Sequence, residues 1–235
     1  MRIGLFDSGV GGLTVLKVLV NKYSDNEYIY YGDTLNNPYG NKSKDELLVL
    51  AKKNINFLLD KKVDMIIIAC GTVSSNCLYE LKESYNIPIY SILEPTIDYL
   101  NKSNYDNIGV IATKATINSH IFKDNIGKNV YEIATPKLVP LIEENNLNNI
   151  DEVLNEYLKN VKIDVLVLGC THYPIIKDNI KKIIGEADII DMGDLINVQN
   201  GNKGEINIYF SKLNEVIISN TKRILENKKY IISEV

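Results

Sequence analysis

The stretches VDMIIIACGT (63–72) and IDVLVLGCTH (163–172) decide the fold, because they repeat one pattern 100 residues apart. Each opens with an apolar residue and an aspartate, continues as a short apolar run, and reaches a cysteine, Cys70 or Cys170, through a small residue. Such runs are typical of buried strands in a parallel sheet, which places each thiol at the carboxyl end of its strand. Ligands of open α/β sheets bind just beyond those ends. The sequence therefore predicts two thiols that face one substrate.

A second repeat precedes the first in both halves of the chain. IGLFDS (3–8) is similar to IGVIAT (108–113), at a separation of 105 residues. Two segments that recur in the same order at nearly one offset predict a duplicated βαβ unit. We expect an α/β fold of two similar α/β domains with parallel-stranded sheets, related by a pseudo-two-fold axis, with the active site in the cleft between them. The predicted domains are residues 1–93 plus 205–235, and residues 94–204.

Composition excludes several classes of protein. The chain has 235 residues, a net charge of −4 and 24% charged residues, without a basic cluster that nucleic acid would require. No apolar run approaches the roughly 18 residues of a membrane span, and Asp7 comes too early for a signal peptide. Three cysteines without disulfide spacing favour the cytosol. We expect no nucleic-acid or membrane partner and a cytoplasmic protein.

The glycine-rich segment DSGVGG (7–12) follows the first predicted strand. It matches neither GxGxxG nor GK[ST], so nucleotide binding is disfavoured, and the glycines alone require no more than a turn. Asp7, at the end of a strand, is a candidate for orienting a substrate ammonium group or a neighbouring thiol. With only Arg2 and Arg223 as arginines, an anionic substrate must be held mainly by backbone N–H groups, hydroxyls, lysine or helix N-termini.

A buried cysteine is most often a small apolar core residue, but the paired placement of Cys70 and Cys170 favours chemistry. A metal site is disfavoured, because the chain has no C-x-x-C and only two histidines. The third cysteine, Cys77, falls in a predicted helix and reads as packing or surface. His172 lies two residues after Cys170; it is either a solvated turn residue or the partner that lowers the thiol pKa or moves its proton. A carboxylate at Glu143 is a candidate partner for that histidine.

Taken together, these segments resemble the glutamate racemases of the aspartate/glutamate racemase superfamily. The resemblance covers most of the chain up to about residue 191 and rests on the segments IGLFDSGVGGLTVL (3–16), YYGDTxxxPYG (30–40), IIIACxT (66–72), GVIxTxAT (109–116), VPLIEE (139–144) and LGCTHYPII (168–176).

The resemblance implies a racemase that needs no cofactor and no metal and interconverts L- and D-glutamate. It would supply D-glutamate for peptidoglycan, and so for the cell wall and cell shape. By family motif, Cys70 and Cys170 are the acid/base thiols on opposite faces of the substrate Cα. Asp7 would assist Cys70, while His172, helped by Glu143, would assist Cys170. The implied partner is a small amino acid, and a homodimer is an assembly that the resemblance allows. The implied substrate contacts are Ser8, Asp33, Pro38, Tyr39, Gly40, Gly71, Thr72, Thr113 and Thr171.

One departure from the family pattern concerns the first thiol. The family reads Cys-Asn-Thr where this chain has Cys70-Gly71-Thr72. Losing a hydrogen bond to a charged group costs about 1.5–3 kcal/mol if nothing replaces it. Water or Asn76 would compensate, or the preferred substrate differs. Two alternatives therefore stay open: a paralogue that racemises another amino acid, such as aspartate, and a catalytically weakened binding or regulatory protein.

Overall fold

The computed structural model describes all residues, 1–235, and contains ten strands and ten α-helices. The strands are β1 (Arg2–Asp7), β2 (Glu27–Gly32), β3 (Met65–Ile68), β4 (Ile89–Ser91), β5 (Asn107–Ala112), β6 (Asn129–Ala134), β7 (Val165–Leu168), β8 (Asp188–Asp191), β9 (Glu205–Phe210) and β10 (Ile231–Glu234). The helices are α1 (Leu13–Lys22), α2 (Lys44–Asp60), α3 (Gly71–Ser84), α4 (Leu93–Lys102), α5 (Lys114–Asn118), α6 (Ile121–Asn125), α7 (Leu138–Glu143), α8 (Ile150–Leu158), α9 (Lys177–Ile184) and α10 (Glu215–Leu225). Single 3-10 turns span Tyr173–Ile176 and Met192–Leu195. None of the helices combines the length and the apolar character that a membrane crossing requires.

The strands form two parallel sheets with the same internal order. The six-stranded sheet runs β10-β9-β2-β1-β3-β4 and the four-stranded sheet runs β6-β5-β7-β8. The order β2-β1-β3-β4 in the first sheet corresponds to the order β6-β5-β7-β8 in the second. This arrangement confirms the predicted α/β fold with two parallel-stranded sheets. After residue 204 the chain adds β9 to the free edge of β2, and β10 to β9. The residue boundaries of the two domains stay a prediction.

The aspartate that opens each repeated stretch has the same structural role in both sheets. Asp64 Oδ2 accepts a hydrogen bond from the backbone N–H of Arg2, at 2.6 Å, where β1 begins. Asp164 Oδ2 accepts from the backbone N–H of Asn107, at 2.8 Å, where β5 begins. Each carboxylate thus pairs a strand-end amide that the ladder leaves free, and it holds the cysteine-bearing strand in register with its neighbour.

Apolar side chains form three clusters, of which the largest is shared by both sheets. It joins inward residues of the first sheet, such as Leu5 and Ile67, with Val110 and Val167 of the second. Two smaller clusters cover the outer faces, one under α2 and α3 and one under α7, α8 and α9. Because the central cluster is continuous, the sheets meet over a buried interior, and the cleft lies at the edge of a firmly packed body.

The helix after the first cysteine starts earlier than the sequence predicts. The pattern predicts a helix near residues 75–84, whereas α3 begins at Gly71 and Cys70 is its N-cap residue, in extended conformation. Small polar residues over this first turn hide the apolar spacing that marks a helix. The early start matters for the site, because the free N–H groups of the first turn of α3 surround Cys70.

Candidate active site

One cleft lies beyond the carboxyl ends of β1, β3, β5 and β7, with about 590 Å³ of empty space including the part open to solvent. The first sheet and its loops contribute Asp7, Ser8, Asn37, Pro38, Tyr39, Gly40, Asn41, Cys70, Gly71 and Thr72. The second contributes Thr113, Lys114, Thr135, Pro136, Val139, Pro140, Gly169, Cys170, Thr171 and His172. Both sheets therefore supply half of a single concave surface, as expected for strand-end sites of open sheets.

Both repeated cysteines are free thiols that reach this cleft. Cys70 and Cys170 are buried, with 4% and 6% of their surface exposed. Each packs into the outer apolar cluster of its own sheet, and each also lines the cleft. A substrate in the cleft therefore meets a sulfur from each sheet.

The sulfur of Cys170 lies beside a histidine–carboxylate pair. His172 Nδ1 is 3.6 Å from Cys170 Sγ, and His172 Nε2 is 2.5 Å from Glu143 Oε1. Burial alone would lower the pKa of His172, but Glu143 and the neighbouring sulfur outweigh it and raise that pKa well above its ordinary value. Burial likewise opposes ionisation of Glu143, yet the charge of His172 outweighs it and leaves the pKa of Glu143 lowered. The pair is therefore an imidazolium and a carboxylate, with a donor aimed at Cys170.

The surroundings of Cys70 have the opposite effect. Burial raises the pKa of the Cys70 thiol, and the nearby carboxyl of Asp7 raises it further, against the opposing N–H groups of Val73 and Thr72 in α3. Asp7 itself is fully buried, which raises its pKa despite the charge of His172 and two backbone donors. Those donors are the N–H groups of Gly12 and Gly9, at 2.9 and 3.3 Å from Oδ2. Cys70 therefore rests as a protonated thiol.

The glycine-rich segment between β1 and α1 is packed against the second half of the site. A Cβ at Gly9 would lie 2.5 Å from Glu143 Oε1, and a Cβ at Gly11 would lie 2.5 Å from His172 Nδ1. Thr14 Oγ1, in α1, donates to the carbonyl of Thr171 at 2.9 Å. The glycines are thus required by the close approach of the imidazolium–carboxylate pair, which no side chain at these positions would permit.

Most of the remaining predicted site residues lie on the cleft wall. These are Ser8, Pro38, Tyr39, Gly40, Gly71, Thr72, Thr113 and Thr171. The hydroxyls of Thr72 and Thr113 are 2.9 Å apart, which joins the two halves of the wall.

Two predicted residues lie behind the wall. Asp33 is fully buried and accepts hydrogen bonds from Tyr39, at 2.6 Å, and from Ser211, at 2.9 Å. It therefore holds the ring of Tyr39 in the wall and does not reach the cleft. Glu143 also does not line the cleft and meets it through His172.

The sequence did not single out several wall residues, namely Asn37, Asn41, Lys114, Thr135, Pro136, Val139, Pro140 and Gly169. Most are direct neighbours of predicted residues: Asn37 and Asn41 flank the Pro38–Gly40 turn, and Lys114 follows Thr113. Their position next to predicted residues was the only signal in the sequence that could have found them. Thr135 and Pro136 follow β6, and only the pairing of β6 with β5 brings them to the site.

Gly71 is packed against the opposite half of the cleft. A Cβ there would lie 2.7 Å from the backbone oxygen of Gly169. The glycine thus does more than omit a side-chain contact: in this arrangement no larger residue fits between the two strand ends. Asn76, the expected replacement donor, bonds the carbonyl of Thr72 at 2.9 Å and does not line the cleft.

The chain is thus an α/β protein in which two parallel sheets each place a thiol in one cleft, and comparison with known proteins identifies its class. The chain belongs to the Asp/Glu/hydantoin racemase family, whose model matches residues 33–196. Glutamate racemase from Aquifex pyrophilus is 42% identical over 84% of this chain and 81% of its own length. Glutamate racemase from Aquifex aeolicus is 38% identical over 100% of this chain and 99% of its own. The crystal structure of glutamate racemase from Francisella tularensis in complex with D-glutamate superimposes with a TM-score of 0.86 at 32% identity, covering 100% of this chain and 97% of that one.

Proposed function

We propose that this chain is a glutamate racemase that interconverts L- and D-glutamate with two thiols and without a cofactor, and so supplies D-glutamate for peptidoglycan. The observation that carries the proposal is the pair of free thiols, Cys70 and Cys170, that line one cleft from two sheets. Inverting a stereocentre by proton transfer needs one acid/base group on each face of the Cα. The glutamate racemases from Aquifex support glutamate as the substrate.

The two thiols begin the reaction in different surroundings. Cys70 is a protonated thiol, because burial and Asp7 raise its pKa. Cys170 acts as the base in this direction and lies 3.6 Å from the protonated His172. The Cys170 sulfur then takes the α-proton: the Cα–H bond breaks, an S–H bond forms, and the electron pair delocalises into the carboxylate. Cys70 gives its S–H proton to the other face of the Cα and becomes the thiolate.

The opposite enantiomer runs this sequence backwards. Cys70, as the thiolate, removes the α-proton, and Cys170 returns a proton to the opposite face. Atoms and charge balance in both directions, and no electron acceptor is needed. His172 and Glu143 keep a positive charge next to Cys170 throughout, whereas Asp7 sits on the side of Cys70.

The cleft also provides groups for an anionic amino acid. The first-turn N–H groups of α3, next to Thr72, are free donors that suit a carboxylate. The hydroxyls of Ser8 and Thr113 add further donors, and Lys114 is the only lysine or arginine on the wall. These groups compensate for the scarcity of arginine in the chain.

A racemase assay without added cofactor tests the proposal. Purified protein is incubated separately with L-glutamate and with D-glutamate, and the ellipticity of each solution is followed by circular dichroism. We expect both solutions to decay to the same zero signal. Because Gly71 alters the wall, L- and D-aspartate are assayed in parallel. Turnover of aspartate alone would replace glutamate as the substrate, and turnover of neither would favour a binding protein.

A further inference from the structure

Asn37 is a wall residue of the cleft with one unused polar atom. Its Oδ1 is buried and has no hydrogen-bond partner. Three other buried side-chain atoms share this condition, in Arg2, Asn26 and Asn54, but none of those residues lines the cleft. Asn37 therefore combines an orphaned acceptor with a place on the cleft wall.

The direction of the Asn37 amide is fixed by its neighbour on the other half of the cleft. The amide lies near Glu143 and helps to lower the pKa of that carboxyl. Both groups lie against Gly9: a Cβ there would be 2.5 Å from Glu143 Oε1 and 3.1 Å from Asn37 Nδ2. An ionised carboxylate only accepts hydrogen bonds, so the NH₂ group must face Glu143. The carbonyl oxygen consequently points away from Glu143.

An unpaired buried amide oxygen destabilises the folded protein, and native proteins rarely keep one without a reason. A bound amino acid removes this cost if it brings a donor. Its carboxylates are acceptors, whereas its α-ammonium group carries three N–H donors. The ammonium group is therefore the part of the substrate that complements Asn37 Oδ1.

We propose that Asn37 is a further substrate-binding residue, whose Oδ1 accepts a hydrogen bond from the α-ammonium group of the amino acid while its NH₂ group holds Glu143. This inference rests on the proposed function and assigns one group of the substrate to one atom of the wall. It makes Asn37 a determinant of specificity: the residue distinguishes an amino acid from a dicarboxylate of the same length.

The test compares glutamate with glutarate, which lacks only the ammonium group. In Asn37→Leu, which is similar in shape and has no polar atom, we expect the KM for glutamate to rise about tenfold or more, since the lost bond is to a charged group. The inhibition constant of glutarate should change less than twofold. Asn104→Leu, the same change at an exposed residue that does not line the cleft, should leave both constants unchanged.

A purely structural role would give a different result. If Asn37 acted only through Glu143, Asn37→Leu would lower kcat and displace the pH profile while glutamate and glutarate were affected equally, and that result would overturn the inference. Asn37→Asp retains an acceptor oxygen, so it should keep the preference for glutamate over glutarate; loss of the preference there would also overturn it. Thermal unfolding of each variant identifies any that fails to fold.

The inference and the proposed function fail in distinguishable ways. If the wild-type protein racemises no glutamate, the proposed function fails for this substrate, and the comparison moves to aspartate and succinate. If the wild-type protein racemises glutamate but Asn37→Leu weakens glutarate as much as glutamate, only the role of Asn37 fails.

Discussion

The two cysteine-bearing strand ends have the same position in their sheets but differ in chemical surroundings. β3 and β7 occupy the same place in their sheets, and an aspartate fixes the start of each neighbouring strand in the same way. The segments that follow β3 and β7 differ. Cys70 caps the 14-residue helix α3 and lies near Asp7, whereas Cys170 leads into a short 3-10 turn and contacts His172.

Equivalent positions show where the difference comes from. At the 105-residue offset, Asp7 of the first half corresponds to Ala112 of the second, so the second half has no carboxyl there. At the 100-residue offset, His172 corresponds to Thr72, so the first half has no imidazole. Each half thus retains one ionisable group that the other lacks. The repeated strands set the geometry, and in the proposed mechanism single residues after them set the direction of proton transfer.

The largest effect is expected from removing either sulfur. Cys70→Ser and Cys170→Ser should each lower racemisation by about a thousandfold or more, within the contribution of a general acid or base, because a hydroxyl is a far poorer base than a thiolate at neutral pH. Each variant is assayed with both enantiomers in heavy water. Deuterium exchange into one enantiomer should survive in each variant, with the surviving enantiomer opposite for the two.

The same two variants can also contradict the proposal that the two thiols have separate roles. Near-normal racemisation by either serine variant would remove the second base from the mechanism. Exchange into the same enantiomer in both variants would show that the two sides are not specialised, even if both sulfurs are required.

The next largest effect is expected at Glu143, the carboxylate that pairs with His172 on the Cys170 side. Glu143→Gln removes the charge that raises the pKa of His172, so racemisation should fall about a hundredfold, within the range of acid–base contributions. The direction that starts with abstraction by Cys170 should suffer more. Initial rates from L- and D-glutamate, compared over pH 6–9 for wild type and variant, measure this asymmetry.

The same substitution has a pH-dependent effect on stability. The pKa of Glu143 is lowered, so its contribution is present above the ordinary glutamate pKa and is lost as the pH falls through the folded value. The pKa of His172 is raised, so its contribution is complete below the ordinary histidine pKa and is lost as the pH rises. Urea unfolding should therefore show the wild-type advantage, about 2 kcal/mol for a charge-assisted bond, at its largest between about pH 4.5 and 6.5. An advantage that is constant with pH would mean that the pair is not charged.

The sequence predicted the two sheets and the position of each cysteine after its strand, because these signals are local. A short apolar run with a cysteine at its end is visible in the residues themselves, and its repetition pointed to two like units. The capping box formed by Ser43 and Glu46, a pattern of neighbouring residues, likewise lies at the start of α2.

The contributions that depend on contacts between separate segments of the chain could not be predicted. The reason for Gly71 is the backbone oxygen of Gly169, nearly 100 residues later. Asp33 was expected at the substrate, and only the packing of Tyr39 and Ser211 places it behind the wall. β10 is a four-residue edge strand whose identity depends on its pairing with β9. Such contacts are properties of the folded chain and leave no periodic pattern.

A smaller effect is expected where the two strand ends touch. Gly71→Ala places a Cβ 2.7 Å from the Gly169 oxygen, and relieving such overpacking costs about 1–3 kcal/mol. We expect a lower urea midpoint and a several-fold loss of kcat/KM, because the Cys70 and Cys170 sides are pushed apart. Gly127→Ala is the matched control, since nothing lies within 4 Å of a Cβ there, and it should change neither quantity. Equal behaviour of the two variants would show that the cleft tolerates a wider separation.

The smallest effect is expected at the third cysteine, which shows what a buried thiol contributes without the strand-end setting. Cys77 is as buried as the other two, but it lies inside α3, packs in the outer apolar cluster, and its sulfur faces the carbonyl of Lys44 at 3.8 Å. Burial raises its pKa to about 11, so it remains a neutral thiol at any pH used for the assay. Cys77→Ala removes one sulfur from a packed core and should lower the free energy of unfolding by about 1–2 kcal/mol, a usual cost for a small cavity. Racemisation, measured well below the unfolding transition, should stay within twofold of wild type. A loss comparable to that of Cys70→Ser would mean that thiol chemistry in this fold does not depend on the ends of β3 and β7.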